Sequence, residues 1–361
     1  MQIIRGKILT YLINPNFLCR NLTGIERFAF ETCNRLDSLL QQNDDVRILI
    51  PLNAKTIPEY KNIKIIKLAK PLKSFPKWDL FEFSGWCRRL NATGINFSNT
   101  APIGKRCGIS FIHDIYPKQF PKDFCSVKEK LIRLYSCFNY HNIAKNAKKV
   151  LTVSEFSKNQ IQKTYKVSDN RIEVIPNGWE HFKNIDFEPF SDSGDFLTTG
   201  SFYFTLGSLQ KRKNLKWIAG YAAAHPHEKF AISGKIISGF ASNEVSALQN
   251  LPNVKMLGYV NDSQVKWLMK NCKAFVFPSY YEGFGIPPLE ALSTGAKIIV
   301  GNAASLPEIY ENSACYIDPN NFNINLDDLL KNNVESPEKI LNKYTYDKAA
   351  QKLYNILKIQ N

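Results

Sequence analysis

The feature that most constrains this chain is a regular alternation of short apolar runs with longer amphipathic stretches. Parallel strands need crossovers long enough to hold a helix, so such alternation is typical of a doubly wound parallel α/β sheet. One series of predicted strands ends near residue 175 and a second begins near residue 203. The 361 residues are enough for two such domains, each with its own core.

The predicted elements define the expected domain boundaries. We expect an N-terminal domain at 1–180, a linker at 181–200 that is rich in Asp, Ser and Gly, a second domain at 201–340, and a final helical segment at 341–361. The predicted strands are 7–13, 46–51, 63–68, 94–98, 108–113, 150–153, 172–175, 203–206, 229–232, 254–257, 274–277, 296–300 and 314–317. The predicted helices are 25–41, 127–147, 155–163, 214–224, 262–270, 287–292, 325–331 and 346–359.

The net positive charge lies almost entirely in the first half of the chain. The chain carries +15; residues 1–180 hold 29 Lys and Arg against 15 Asp and Glu (+14), and residues 181–361 hold 18 against 17 (+1). A solvated basic face is one interpretation, and contact with anionic lipid headgroups or an acidic acceptor is another. Nucleic acid is not expected, because no helix-turn-helix, zinc-finger or RNA-binding pattern accompanies the charge.

Composition also indicates the compartment. The eight cysteines show neither C-x-x-C pairs nor disulfide-like spacing, which favours reduced thiols in the cytosol. No apolar run approaches the roughly 20 residues that span a bilayer. The apolar run at 8–13 is ended by Asn14 and Pro15 too early for a signal peptide, so we interpret it as the first strand. We expect a cytoplasmic protein, with peripheral contact to the inner face of the membrane through its basic domain.

The stretch 274–319 carries the strongest chemical pattern. A buried strand at 274–277 runs into a loop containing Glu282, Gly283, Phe284 and Gly285, where glycine lets the backbone approach a ligand. Two prolines suit the first turn of the next helix, and Glu290 is separated from Glu282 by seven residues. A helix N-terminus attracts phosphate, whereas two carboxylates suit neutral hydroxyl groups. The pattern therefore favours a phosphorylated sugar compound.

This stretch resembles the donor-binding signature of the family 4 retaining glycosyltransferases, which have the GT-B fold. The match extends through Pro278-Ser279, Glu282-Gly283-Phe284-Gly285, Pro288-Leu289-Glu290-Ala291, Gly295 and Leu306-Pro307-Glu308. An isolated pair of glutamates at this spacing carries little information, but the longer pattern between a strand and a helix is specific. The resemblance implies two Rossmann-like domains facing a central cleft, with the last helix packed back on the N-terminal domain.

The same resemblance assigns roles to individual residues. It implies that Glu282 is catalytic and holds donor-sugar hydroxyls on the face where attack occurs. Glu290 is expected to accept hydrogen bonds from the ribose hydroxyls, while Gly283, Phe284 and Gly285 complete the donor-binding loop.

A basic segment, Gly207-Ser208-Leu209-Gln210-Lys211-Arg212-Lys213-Asn214, follows the first strand of the second half. It resembles the family's G-x-L-x-x-R-K-N segment, in which Arg212 and Lys213 neutralise the leaving nucleoside diphosphate. Ser208 stands where some members have arginine, and we count it as donor-binding. A solvated cluster of cations leading a helix is the alternative interpretation.

Two further positions belong to the first half. His113 ends a predicted strand in an His-Asp pair resembling that of the family, which implies a catalytic position beside the donor sugar; a packed histidine is the alternative, and we interpret Asp114 as a turn residue. Gly24 precedes the first helix and resembles the family's glycine-bearing loop, which implies a donor-binding position, although a structural loop glycine fits as well.

Metal and dinucleotide signatures are missing from the sequence. It contains no Asp-x-Asp, no G-x-G-x-x-G and no His/Cys cluster with metal-ligand spacing, so we expect neither a metal nor a nicotinamide cofactor. The resulting hypothesis is a retaining, metal-independent hexosyltransferase that uses a nucleoside-diphosphate sugar and a lipid-linked or polysaccharide acceptor, in lipopolysaccharide or capsule synthesis. A non-catalytic scaffold subunit and another enzyme of this fold, a phosphorylase or sugar-nucleotide epimerase, are the alternatives.

Overall fold

The computed structural model describes residues 9–22, 24–190, 195–207, 210–234 and 242–359. The chain divides into two compact units. Unit 1 comprises Met1–Gly178 together with Thr345–Asn361, and unit 2 comprises Trp179–Tyr344. Each unit is built around one parallel sheet with crossover helices, so the predicted α/β class with doubly wound sheets is confirmed.

Unit 1 contains a seven-stranded parallel sheet in the order β3-β2-β1-β4-β5-β6-β7. The order reverses between β1 and β4, which is where ligands bind in open sheets of this kind. The strands are β1 (Thr10–Ile13), β2 (Asp45–Ile50), β3 (Lys64–Lys67), β4 (Ala92–Asn96), β5 (Ile109–Phe111), β6 (Lys149–Thr152) and β7 (Ile172–Val174).

The helices of unit 1 include several that the sequence did not predict. The segment from Phe75 to Arg89 combines two short α-helices around a π-helical turn at Trp78–Glu82, and a further short helix follows β5. The helices are α1 (Ile25–Leu39), α2 (Phe75–Lys77), α3 (Phe83–Arg89), α4 (Tyr116–Gln119), α5 (Val127–Asn146), α6 (Glu155–Tyr165) and α14 (Tyr346–Ile359).

The last helix, α14, completes the core of unit 1. Its apolar face packs against α1, and both helices belong to one buried cluster with β1 and β2. The Tyr11 hydroxyl on β1 donates a hydrogen bond to the Leu357 carbonyl at 2.8 Å, which joins the sheet directly to the end of the chain. The end of the chain is therefore a structural part of unit 1.

Unit 2 contains a six-stranded parallel sheet in the order β10-β9-β8-β11-β12-β13. Its strands are β8 (Phe202–Leu206), β9 (Lys229–Ser233), β10 (Val254–Gly258), β11 (Ala274–Phe277), β12 (Ile298–Gly301) and β13 (Cys315–Ile317). Its helices are α7 (Leu215–Ala224), α8 (Ser242–Gln249), α9 (Asp262–Asn271), α10 (Ile286–Ser293), α11 (Leu306–Tyr310), α12 (Leu326–Leu329) and α13 (Glu338–Lys343).

The strand order of unit 2 determines where its chemistry concentrates. The order reverses between the neighbouring strands β8 and β11, so the loops that leave their carboxyl ends emerge side by side. The four residues of β11 are all buried, which fixes the start of its loop on the core. These two loops carry the basic segment and the glutamate-glycine pattern found in the sequence.

Long apolar helices are absent from the described ranges. Among these residues, no helix is both long enough and apolar enough to cross a bilayer.

Candidate active site

Asn214 joins the two loops at the reversal point of the unit 2 sheet. Its side-chain amide donates hydrogen bonds to the Pro278 carbonyl at 3.0 Å and to the Pro319 carbonyl at 2.8 Å. The Tyr280 amide donates in turn to the Arg212 carbonyl at 3.1 Å. Asn214 adopts a left-handed conformation (φ 60°), which asparagine tolerates better than most residues. The basic segment is therefore held at a fixed position against the loop after β11.

Two cations converge on one carboxylate in this loop pair. Lys213 Nζ lies 2.7 Å from Glu282 Oε1, and Arg212 Nη1 lies 3.2 Å from Glu282 Oε2. The side chains of Arg212, Lys213 and Glu282 are all largely buried. Arg212 Nε also donates a hydrogen bond to the Gln210 side chain at 3.0 Å. Two positive charges against one negative charge leave this cluster with a net charge of about +1 for an anionic ligand.

The protonation state of Glu282 follows from this arrangement. Burial alone would raise its pKa, but Arg212 and Lys213 outweigh that effect and hold the pKa below its usual value. Glu282 is therefore an ionised carboxylate at neutral pH. It can accept hydrogen bonds from hydroxyl groups, and it is poorly suited to donate a proton.

The Gly283–Gly285 loop is supported from behind by α11. The Ser305 hydroxyl donates to the carbonyls of Glu282 (3.0 Å) and Phe284 (3.2 Å), and the Tyr310 hydroxyl donates to the Gly285 carbonyl. Gly285 has φ +92°, and a Cβ there would lie 2.6 Å from Leu306 Cδ2. Leu306, the first residue of the Leu-Pro-Glu segment, therefore packs directly against the glutamate-glycine loop.

The first turn of α10 offers fewer amides than its position suggests. The residues from the N-cap to the third helical position are Gly285, Ile286, Pro287 and Pro288, and proline has no N–H group. Only two of these four residues can donate a backbone hydrogen bond to an anion. The positive charge beside this loop therefore comes mainly from the side chains of Arg212 and Lys213.

Glu290 pairs with a residue that the sequence did not reveal. His181 Nε2 lies 2.9 Å from Glu290 Oε1, and the His181 side chain is almost completely buried. His181 belongs to a short 3-10 helix, Glu180–Phe182, in the segment predicted to be a linker. The sequence did not indicate a functional role for this histidine, because it stands alone in an aperiodic stretch and comes beside α10 only in the folded chain.

Family models match nearly all of the chain in two consecutive parts. The model described as "Glycosyltransferase Family 4" matches residues 22–181, and the model described as "Glycosyl transferases group 1" matches residues 186–348. The chain belongs to the group 1 glycosyltransferases.

Individual similar proteins are named mannosyltransferases. The chain is 29% identical over 230 residues to the O-antigen chain mannosyltransferase B of Escherichia coli, covering 59% of this chain and 57% of that protein. It is 29% identical over 224 residues to the O-antigen chain mannosyltransferase RfbU of Salmonella typhimurium, covering 61% and 59%. The chain thus spans less than two thirds of the length of these relatives.

A solved glycosyltransferase structure shows the same fold. WaaG, a glycosyltransferase involved in lipopolysaccharide biosynthesis, superposes with a TM-score of 0.65 at 15% identity, covering 97% of this chain and 99% of that one. The expected GT-B architecture of two Rossmann-like domains is confirmed.

His113, the catalytic candidate of the N-terminal glycosyltransferase domain, is a buried residue of unit 1. Its Nε2 lies 2.7 Å from the Phe97 carbonyl, which can only accept a hydrogen bond, so the proton sits on Nε2. Its ring stacks on Phe111 and meets Phe28 edge-on, each at 5.4 Å, and its backbone N–H donates to Asn99. Burial lowers its pKa to about 4, so His113 is neutral at physiological pH, with Nδ1 as an acceptor.

Gly24, the donor-binding candidate ahead of the first helix, is also in unit 1. It caps α1 with φ +45°, and among the described residues no atom lies within 4 Å of a Cβ placed there. The backbone conformation at this position favours glycine, although there is enough space around it for a side chain. The donor-binding candidate Ser208 lies outside the described residues.

Metal-binding clusters are absent from the described part of the chain. In those ranges, no group of three or more His, Cys, Asp or Glu side chains is placed to hold a metal ion.

Proposed function

We propose that this protein is a retaining, metal-independent hexosyltransferase that transfers a sugar from a nucleoside-diphosphate donor to a lipid-linked or polysaccharide acceptor. The observation that carries the proposal is the convergence of Arg212 and Lys213 on Glu282 beside the Gly283–Gly285 loop. It provides cations for a diphosphate and an ionised carboxylate for sugar hydroxyls at the reversal point of one sheet.

The proposed reaction breaks the bond between the donor-sugar anomeric carbon and the diphosphate, and the bonding electrons leave with the phosphate oxygen. Arg212 and Lys213 stabilise this developing charge, as preorganised cations do where transition-state charge appears. The acceptor oxygen then bonds to the same face of the sugar, and its proton passes to the leaving phosphate. Glu282 orients the sugar through its hydroxyls, and Glu290, held by His181, binds the ribose hydroxyls.

Two residues of unit 1 are also proposed to contact substrates. The neutral imidazole of His113, with its proton fixed on Nε2 by the Phe97 carbonyl, presents Nδ1 as an acceptor for a sugar hydroxyl. Gly24 is proposed to let the backbone approach the donor, because its conformation excludes larger residues without filling the space beside it.

The relatives suggest both the sugar and the pathway. Two of them are named O-antigen chain mannosyltransferases, so we propose mannose as the transferred hexose and O-antigen-type polysaccharide as the product. The proposed place of action is the cytoplasmic face of the membrane, where the +14 charge of residues 1–180 contacts anionic headgroups.

The test is transfer of radiolabelled mannose from GDP-mannose, in EDTA, to a lipid extract from a strain that lacks this protein. We expect a labelled lipid-linked product whose new linkage has the anomeric configuration of the donor. Lys213→Ala should lower turnover by about 100-fold, the scale of losing one charge-stabilising group. Lys216→Ala, an exposed lysine on α7, is the matched control and should act like the wild type.

Three results would contradict parts of this proposal. An inverted linkage would exclude the retaining mechanism, and a strict need for a divalent cation would exclude metal independence. Failure to turn over GDP-, UDP-, dTDP- or ADP-hexoses with any extract would favour a scaffold subunit.

A further inference from the structure

Helix α5 exposes a row of large apolar side chains on one face. Val127, Leu131, Leu134 and Phe138 are 76%, 61%, 59% and 46% exposed, respectively. Their spacing of four, three and four residues places them within about 60° of the helix circumference and along about 16 Å of its length. Single exposed apolar residues are ordinary, but a continuous row of four indicates an interaction surface. We call these four residues the α5 apolar row.

The rest of the helix is anchored so that the row must face outward. Tyr140, Ile143 and Ala144, on the opposite side, belong to a buried cluster of unit 1. At the N-terminal end, Ser126 and Glu129 form a capping box, with Glu129 accepting from the Ser126 and Cys125 amides at 2.8 Å. The row is therefore a fixed feature of the folded unit.

The charges beside the row indicate its partner. Lys130 lies on one side of the row and Lys128 on the other, while Lys145 lies on the same face about two turns beyond Phe138; all three are exposed. Glu129 is the one carboxylate residue of α5, and it is buried in the capping box. The exposed face of this helix thus combines apolar side chains with lysines and carries no negative charge.

We propose that the α5 apolar row inserts into the interfacial region of a bilayer rich in anionic lipids, with Lys128 and Lys130 at the phosphate level. A basic amphipathic helix binds such a surface by burying its apolar side chains and attracting anionic headgroups together. The inference deepens the proposed function and rests on it, because a lipid-linked acceptor would have to be reached at that surface. The charge asymmetry of the chain did not identify this face, since the row depends on which side chains the fold leaves exposed.

The test is flotation of the full-length chain with vesicles of phosphatidylcholine alone or mixed with phosphatidylglycerol. We expect the wild type to bind the anionic vesicles, with weaker binding at high salt. The double variant Leu131→Ser with Leu134→Ser should reduce binding by about tenfold or more, because the apolar area available for insertion falls sharply. Lys128→Gln with Lys130→Gln should reduce binding and also weaken its dependence on salt.

A matched control separates this face from general surface hydrophobicity. Leu52 and Ile57 are equally exposed (71% and 65%) in the same unit but lie outside α5. The double variant Leu52→Ser with Ile57→Ser should bind vesicles like the wild type. Thermal stabilisation of each variant by nucleoside diphosphates without lipid should match the wild type, which shows that folding and the donor site are intact.

The proposal would be overturned if the wild type did not bind anionic vesicles or if the Leu131/Leu134 variant bound them as strongly as the wild type. A second result would also overturn it: light scattering shows that the wild type is a dimer, the Leu131/Leu134 variant is a monomer, and neither protein floats with vesicles. In that case a second copy of the chain would cover the row. Vesicle binding without stabilisation by any nucleoside diphosphate would instead contradict the proposed function and leave the α5 assignment standing.

Discussion

Glu282 and Lys213 form an ion pair at 2.7 Å, and the second oxygen of the same carboxylate is held by Arg212 at 3.2 Å. One buried carboxylate therefore occupies both cations that are proposed to receive the diphosphate. A ligand that binds here must share these cations with Glu282 or displace it from them. The ion pair thus opposes diphosphate binding while it keeps the cations in position.

Replacing Glu282 with Gln tests this relationship. Removing the negative charge frees Arg212 and Lys213 for phosphate oxygens, so a nucleoside diphosphate should bind several-fold more tightly. Turnover should nevertheless fall, because the carboxylate proposed to orient the sugar is lost. Calorimetric binding and transfer assays would measure the two effects. Weaker diphosphate binding would contradict the competition for the two cations, and unchanged turnover would contradict the proposed role of Glu282 in orienting the sugar.

Substitution of His113 should change how stability depends on pH. Because the folded-state pKa is about 4 and the ordinary value is 6.5, the unfolded chain binds a proton between these pH values and the folded chain does not. Stability should therefore fall as the pH drops from 6.5 towards 4, by about 3 kcal/mol in total from this residue.

His113→Gln should flatten this part of the profile in thermal melts from pH 7 to pH 4.5, whereas substitution of the exposed His227 should not. Equal slopes for the wild type and His113→Gln would show that His113 is protonated in the folded chain.

Gly285 and Gly295 allow steric conflict to be separated from backbone strain. Both have positive φ (+92° and +83°), but only at Gly285 would a Cβ collide with a neighbour, Leu306. Gly295→Ala should cost about 1–3 kcal/mol of stability through strain alone. Gly285→Ala should cost more and should also impair donor binding, because the loop backed by Tyr310 must move. If the two variants had equal melting temperatures and equal donor affinities, the support from α11 would be unimportant.

The Glu290 and His181 pair should influence donor binding more than stability. Glu290→Gln weakens the proposed acceptor for the ribose hydroxyls, and His181→Ala removes the partner that holds that side chain at 2.9 Å. We expect each variant to raise the KM for the donor, with the larger effect from Glu290→Gln. A drop in melting temperature at unchanged KM would assign the pair a structural role.

The sequence predicted the strands of both sheets well and the contacts between loops poorly. Each predicted strand has a counterpart in the described residues, with ends shifted by a few positions, because buried parallel strands leave continuous apolar runs. The short helix α11 and the interrupted helix at Phe75–Arg89 were missed, since neither has a long periodic pattern.

The glutamates and basic residues of the site were recognised as separate motifs. Their mutual contact was not predictable, because it depends on the neighbouring positions of β8 and β11 and on the left-handed turn at Asn214. His181 could not be predicted as a site residue for the same reason, since its partner Glu290 lies more than 100 residues away in the sequence.

The most direct test of the central claim is thermal stabilisation by UDP, GDP, dTDP and ADP in EDTA, measured on the wild type, Lys213→Ala and Lys216→Ala. A nucleoside diphosphate at about 100 times its dissociation constant should stabilise the fold by about 2.7 kcal/mol. We predict that one nucleotide, GDP if mannose is the sugar, stabilises the wild type and Lys216→Ala while Lys213→Ala loses most of the effect. No stabilisation by any of the four, with or without magnesium, or full stabilisation of Lys213→Ala, would contradict the assignment of this site as the diphosphate-binding centre of a glycosyltransferase.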